Sequence, residues 1–361
     1  MSTRPVRIYA VGDIFLGESP YCYGFGIGST IGRKGPDFLF RNVVGIFSDG
    51  DLVMGNLEAP VSRSSDQKGI RKNLFRAEPE VAMALKRARF TVLSLANNHI
   101  MEHGLPAFEE TWASLQEAGI LCPGIRSKRD LVTVNGCKIC VLAYSFIPDS
   151  SEQVPYNRVR NESRIIDDIR SIRDIADLVI LMLHWGEEYV SCPSPEQVTM
   201  GRTLVDNGAD IIIGSHPHVL QGYEMYRNRI IVYSLGNFIF ENFIRETGRG
   251  AILRIDADPG NNTFSLEYLP VTSGPEQFSP EPAGHPSREK ILDLIATVHR
   301  EIEGVSTLEY AGRMRDYPDV VRKYKARAKK QMKRHFMKNL YRYPLAVSLS
   351  LVKQYVKKRW K

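Results

Sequence analysis

An α/β fold whose sheets mix parallel and antiparallel strands is predicted by three observations. Five apolar runs each end in Asp, Glu, Asn or His, segments of helical period stand between them, and from Gly222 the pattern changes to short strand-like pieces separated by turn signals. Continuous apolar runs bounded by turn residues suit strands buried on both faces. Open α/β sheets place their ligands beyond the carboxyl ends of such strands, so the polar ends are predicted to meet along one edge.

The elements follow in order. Val6 to Gly12 is the first run and ends at Asp13. Gly24 to Gly35 is a loop by composition, lacks the spacing of a phosphate-binding fingerprint and is placed to cover a site. Asp51 to Gly55 ends at Asn56 and Glu58. Val81, Ala84, Leu85 and Ala88 recur at helical spacing after Pro79, and the run Thr91 to Ala96 ends at Asn97, Asn98 and His99. A helix from Pro106 to Ala118 closes on Gly119, a C-cap residue. Leu131 to Ser145 reads as a hairpin about Asn135-Gly136. Arg164 to Ala176 carries Ile165, Ile166, Ile169, Ile172 and Ile175 on one helical stripe. Asp177 to Leu183 ends at His184, a helix from Pro195 to Asn207 stops at Gly208, and Ala209 to Gly214 ends at His216 and His218. Strands are then expected at Glu224 to Tyr226, Arg229 to Tyr233, Ala251 to Ile255 and Phe264 to Leu269.

The Pro-rich stretch Ser273 to Pro286 reads as a linker. The chain is therefore divided into a core domain over 1–272, the linker over 273–286, and a helical, strongly basic extension over 287–361 that opens with a helix from Ser287 to Ile302. From Val305 onward there are 17 Lys and Arg against 3 Asp and Glu, which leaves 31 against 38 for the preceding residues, so the net charge of +7 belongs to the tail. Val320 to Asn339 combines helix formers with dense cations. The apolar stretch Tyr343 to Val352 is about half the roughly 20 residues that a spanning helix needs, and an interfacial segment against anionic lipid is expected instead. Nucleic acid is not an expected partner, because no binding module accompanies the charge.

The 361 residues, 43% hydrophobic and 25% charged, exclude a disordered chain. Cys137 and Cys140 form a C-x-x-C in a strand-like run, where positions three apart face opposite ways, so a redox or zinc role is not expected. Met1 to Arg7 runs directly into the first strand, and the expectation is a cytoplasmic protein, peripheral at the inner membrane face through its tail.

Asp and Glu supply hard oxygen ligands and neutral imidazole supplies nitrogen. The combination suits one or two divalent ions of Mn, Fe, Zn or Mg. Two ions about 3.5 to 4 Å apart clamp the attacking and leaving oxygens of a phosphoryl displacement and acidify a bound water towards a pKa of roughly 7. Gly214 to His218, GSHPH, carries the signal most directly, since its imidazoles are two residues apart after a strand end and each reaches a different ion.

The ordered motifs VGDIFLGE, DLVMGNLEAP, LANNHIMEHG, LMLHWGEEY, IIIGSHPHVLQ and YSLGNFIF, spanning Val6 to Phe240, resemble the CapA family of bacterial capsule and poly-γ-glutamate synthesis proteins, a branch of the calcineurin-like metallophosphoesterase superfamily. The resemblance implies a four-layered αββα sandwich with a dinuclear centre. Asp13 is implied as a ligand of the first ion and a catalytic residue, Glu58 as the bridging carboxylate, Asn98 and His184 as ligands of the second ion, and His216 and His218 as divided between the two. His99 matches the histidine that serves as general acid. Asn56, Asn97, Glu102, Glu187 and Asn237 are candidates for orienting these ligands or touching substrate. Three departures stand out. Phe15 replaces the histidine of the D-x-H pattern, Glu58 takes the role of the usual bridging Asp, and Glu102 stands where such sequences usually carry Asp. The implied function is a metal-dependent phosphoesterase-like hydrolase in capsule or exopolymer production, using a metal-activated water on an anionic or polymeric substrate. The alternative is a non-catalytic, metal-containing accessory protein of a membrane-associated polymer synthesis complex.

Overall fold

The computed structural model describes residues 4–126, 129–149, 153–274 and 278–343. In chain order the strands are β1 (Val6–Ile14), β2 (Leu52–Leu57), β3 (Val92–Ser94), β4 (Asp130–Val134), β5 (Cys137–Ser145), β6 (Leu178–His184), β7 (Ile211–Ser215), β8 (Leu220–Tyr226), β9 (Arg229–Leu235), β10 (Asn237–Ile239), β11 (Arg249–Asp258), β12 (Thr263–Thr272) and β13 (Glu281–Pro282). The helices are α1 (Ile27–Lys34), α2 (Val81–Arg87), α3 (Leu105–Glu117), α4 (Ser163–Ile172), α5 (Pro195–Asp206), α6 (Ser287–Ile302), α7 (Thr307–Arg313) and α8 (Tyr317–Lys338).

The strands form two mixed sheets. One has the order β13-β12-β11-β1-β2-β3, with β10 also paired to β1, and the other has the order β4-β5-β6-β7-β9-β8. Alternation along the central strands separates the layers. Ile139, Val141 and Ala143 of β5 and Leu178, Ile180 and Met182 of β6 enter one core with Ile8, Ala10 and Ile255 of the first sheet. The intervening Cys140, Leu142, Val179, Leu181 and Leu183 pack instead on Ile165, Ile169 and Val198 of α4 and α5. Helices α2 and α3 bring Val81, Leu85, Phe108 and Leu115 to the main core. The result is the α/β sandwich of four layers that the sequence predicts. Cys137 and Cys140 enter different cores, as their spacing requires.

The Gly-rich stretch contains a helix, which corrects the expectation of a loop. Glu18 accepts from the Gly26 N–H at 2.9 Å, Glu241 accepts from the Ile27 N–H at 3.0 Å, and Ile27 and Thr30 are buried. A Cβ at Gly26 would lie 1.9 Å from a Glu241 oxygen, so here glycine permits close approach. Helix α4 also ends earlier than its isoleucine stripe suggests, and Ile175 is 55% exposed.

Beyond Ser273 the chain returns to the sandwich. Strand β13 extends the first sheet, Ile291 and Ile295 of α6 join the main core, and Val298 and Ile302 join the outer one. Helix α8 then crosses towards the carboxyl ends of the central strands. Its Tyr324 hydroxyl is 2.9 Å from that of Ser191, its Lys325 pairs with Glu187 at 2.5 Å, and Gln331 binds Glu246 at 2.9 Å. No described helix is long and apolar enough to cross a membrane. The apolar stretch from position 344 and the final cations lie outside the described residues.

Candidate metal centre

Strand register assembles the site. Asp13 lies beside Asn56 and Asn237 in the first sheet, and Asn56 beside Ser94, three residues before Asn97. In the second sheet His184 lies beside Ser215, the residue that precedes His216. The polar ends of five runs thus arrive at the seam between two sheets.

Two triads result, Glu58 with His184 and His216, and Asp13 with Glu58 and His218, in each of which one ligand atom per residue lies within 4.8 Å of the others. Glu58 belongs to both. His216 falls in the first triad and His218 in the second. Asn98 joins the first triad, its Oδ1 being 2.8 Å from His184 Nε2. His216 and His218 adopt φ of 96° and 59°, a conformation that non-glycine side chains reach only where the surroundings enforce it.

A cradle of amides fixes these ligands. Asn56 donates to Asp13 Oδ1 at 2.8 Å and accepts from Asn97 at 3.1 Å, and Asn97 also holds the His99 N–H at 3.2 Å. Asn237 Oδ1 is 3.0 Å from His218 Nδ1, and Asn242 in turn accepts from Asn237 at 2.9 Å. The Ser215 hydroxyl sits 3.1 Å from His184 Nδ1. Asn242 and Ser215 carry no signal in the sequence beyond lying near a strand end.

The donor set fits divalent cations. Neither Glu58 oxygen nor His216 Nδ1 has a hydrogen-bond partner, although all are buried, and an orphaned carboxylate facing three imidazoles is costly without a cation. The electrostatics agree. Burial and then the Asp13 charge hold Glu58 well above the usual carboxylate range. Burial and then neighbouring imidazoles push His184 well down and His216 to about 3, which keeps both neutral as ligation requires. Burial alone would lower His218, but the Glu58 and Asp13 carboxylates raise it to about 10. Burial likewise opposes ionisation of Asp13, but the hydrogen bond and charge of His218, with the Asn56 and His216 N–H donors, together outweigh it and lower its pKa. In the absence of cations, a proton on His218 offsets the carboxylates.

His99 stands at the edge of this centre. Its Nδ1 is 3.0 Å from Glu102 Oε1, and its ring stacks on Phe75 at 5.4 Å and 7°. The pocket in front of it has a volume of about 190 Å³, with His99, His218 and Asn237 on one side and Phe15, Phe240 and Met332 among its walls. Phe15, in place of the D-x-H histidine, packs on Phe75 and Phe240 at 5.6 and 4.9 Å. Glu187 is not brought to the centre. The chain turns there, Lys325 of α8 draws it to the rim, and Glu188 lines the pocket in its stead. Trp185 points away, donating to Tyr233 O at 3.0 Å.

Comparisons with known proteins place the chain. It is 33% identical over 289 residues to the capsule biosynthesis protein CapA of Bacillus anthracis, a match covering 75% of this chain and 68% of that one. It is 31% identical over 273 residues to the PGA biosynthesis protein CapA of Bacillus subtilis (strain 168), covering 72% and 70%. Among solved structures, a Mycoplasma pneumoniae phosphatase overlays on 81% of this chain and all of its own, with a TM-score of 0.49 at 12% identity. The family model described as bacterial capsule synthesis protein PGA_cap matches residues 7–242, and the chain belongs to that family.

Proposed function

We propose that this protein is a metal-dependent phosphoesterase-like hydrolase of capsule or exopolymer production, with two divalent ions shared through Glu58. One observation carries the reading: a buried carboxylate without a hydrogen bond belongs to two ligand triads at once. Asp13, Glu58 and His218 would hold one ion, and Glu58, Asn98, His184 and His216 the other. Such a pair supplies Lewis acidity towards an anionic oxygen and lowers the pKa of a water. The chain's own residues do the rest. Glu102 on Nδ1 orients His99 and leaves Nε2 to give a proton to the departing oxygen. Asn56, Asn97 and Asn237 keep the ligands at their stations, and Phe75, Phe240 and Met332 limit water in the pocket. The substrate of that reading is anionic and polymeric, and the exposed cations Lys323, Lys329, Lys330 and Lys338 of α8 suit an anionic surface at the inner membrane face. Preparations loaded with Mn, Fe, Zn or Mg test the reading, with hydrolysis of phosphoesters or polymer intermediates expected and lost in His184→Ala. No turnover with any of them would overturn it.

Phe15 favours a second reading, in which the ions hold an anionic polymer without cleaving it in an accessory protein of the synthesis complex. The triad containing Asp13 has only three side chains where D-x-H would add a fourth. If His99→Ala abolished polymer production while metal content stayed unchanged, the binding-only reading would fail.

A further inference from the structure

Beside the metal pocket lies a second cavity of about 370 Å³, and its walls are cationic. Arg245 and Arg249 reach it from the turn and strand after β10, Lys290 from α6 and Arg327 from α8. The one carboxylate among its lining residues is Glu246, and both its oxygens are engaged, one by Arg327 at 2.6 Å and the other by Gln331 at 2.9 Å. Among the described residues no ion pair is found for Arg245, Arg249 or Lys290. Like charges held around one cavity by rigid elements repel, and an anion removes that repulsion. Arg245, Arg249 and Lys290 are not a consequence of overall basicity, because the residues before Val305 carry 38 acidic against 31 basic side chains.

We propose that Arg245, Arg249, Lys290 and Arg327 form a second anion subsite, which holds one anionic group of an oligomeric polyanion while another group of the same molecule reaches the metal centre. The two cavities are consecutive along the same elements. Ile244 and Thr247 line the metal pocket while Arg245 and Glu246 line this one, and on α8 Met332 faces the former while Arg327 and Tyr324 face the latter. At 1.5 Å per helical residue, the separation along α8 is about 8 to 12 Å. A small phosphate does not span that distance, whereas an oligomer with repeated acidic groups does. Guanidinium and ammonium groups take carboxylate and phosphate alike, so the repeated group is one or the other. The inference rests on the hydrolase reading only in naming the ligand as its substrate.

The test is equilibrium binding by calorimetry to the full chain, both metal-loaded and stripped with chelator. The probes are a short glutamate oligomer and a short linear polyphosphate, each compared with its monomer. In Arg249→Gln/Lys290→Gln the affinity for the oligomer is expected to fall about tenfold, the factor that 1.4 kcal/mol corresponds to, with the monomers bound weakly throughout. In Lys323→Gln/Lys329→Gln, which removes the same charge from the outer face of α8, it is expected to change less than twofold. Equal losses in the two variants, or none in the first, would overturn the proposal, and the probe with the larger cradle-dependent loss identifies the anion. If the double variant unfolds, Lys290→Glu at an exposed helix position carries the same test. Loaded protein that hydrolyses nothing, yet loses oligomer binding with the cradle, would refute the hydrolase reading and leave the subsite standing.

Discussion

Glu58 is the residue on which the centre turns. Buried, without a hydrogen bond, and set between Asp13 and three imidazoles, it carries a desolvation cost that the proton on His218 only partly offsets in a cation-free protein. Glu58→Gln is therefore expected to leave the fold intact or slightly more stable while removing the shared ligand, and elemental analysis should find the metal content reduced by at least one ion per chain. Retention of the full complement would show that the ions sit elsewhere. His99 is the opposite kind of residue, close to the pocket and absent from both triads. His99→Ala is expected to lower kcat by about 10² to 10⁴-fold with metal content unchanged, which steady-state kinetics beside elemental analysis would resolve. At this scale the sequence was legible where a side chain's place follows from a strand end, as with Asp13, Glu58, His184, His216 and His218. It was not legible for Glu187, whose outward turn depends on Lys325, 138 positions away.

The elements that carry these residues are held by polar clamps as well as by apolar faces. Glu110, in the middle of α3, accepts from the Ser62 hydroxyl at 2.6 Å and from the N–H groups of Arg63 and Ser64 at 3.1 Å, pinning the loop that follows Glu58. Burial would raise its pKa, but those three donors lower it to about 2. Because the folded value lies below the unfolded one, the contribution to stability is fully present above pH 4.5 and fades as pH falls towards 2. Glu110→Gln is expected to cost about 1 kcal/mol at neutral pH, allowing for solvent screening of a partly exposed carboxylate, and much less at pH 2, as denaturant unfolding at the two pH values would measure. Helix α1 shows where element-scale reading fails. Glycine has low helix propensity, and what fixes α1 is the pair of carboxylates Glu18 and Glu241, the second more than 200 positions downstream. Helix α5 shows where it succeeds, since its start at Pro195 and its stop before Gly208 are local signals, and the structure adds a capping box of Ser194 and Gln197.

Over the whole molecule, a buried ion pair of the sandwich also holds the start of the extension, beside the packing of α6 on both cores. Arg202 of α5 binds Glu224 of β8 at 2.5 Å and donates to the carbonyls of Ile302 and Val305 at 3.1 and 2.6 Å, with both side chains almost fully buried. Arg202→Met strands the carboxylate and frees the start of α7, so a loss of about 3 kcal/mol is expected, seen as a lower midpoint in denaturant. Composition marked everything after Pro286 as separate, because charge density is read locally while the docking of Ile291 and Ile295 on the core is not. The same non-local packing brings Met332 to the pocket that His99 lines. The two sheets and the amide cradle bring the candidate ligands to one seam, and anomalous diffraction from crystals grown with Mn²⁺ tests most directly whether that seam holds cations. Two peaks about 3.5 to 4 Å apart are expected, with Glu58 on both, Asp13 and His218 on one, and Asn98, His184 and His216 on the other. No peak at the seam, or a single peak that leaves Glu58 unbound, would contradict the account.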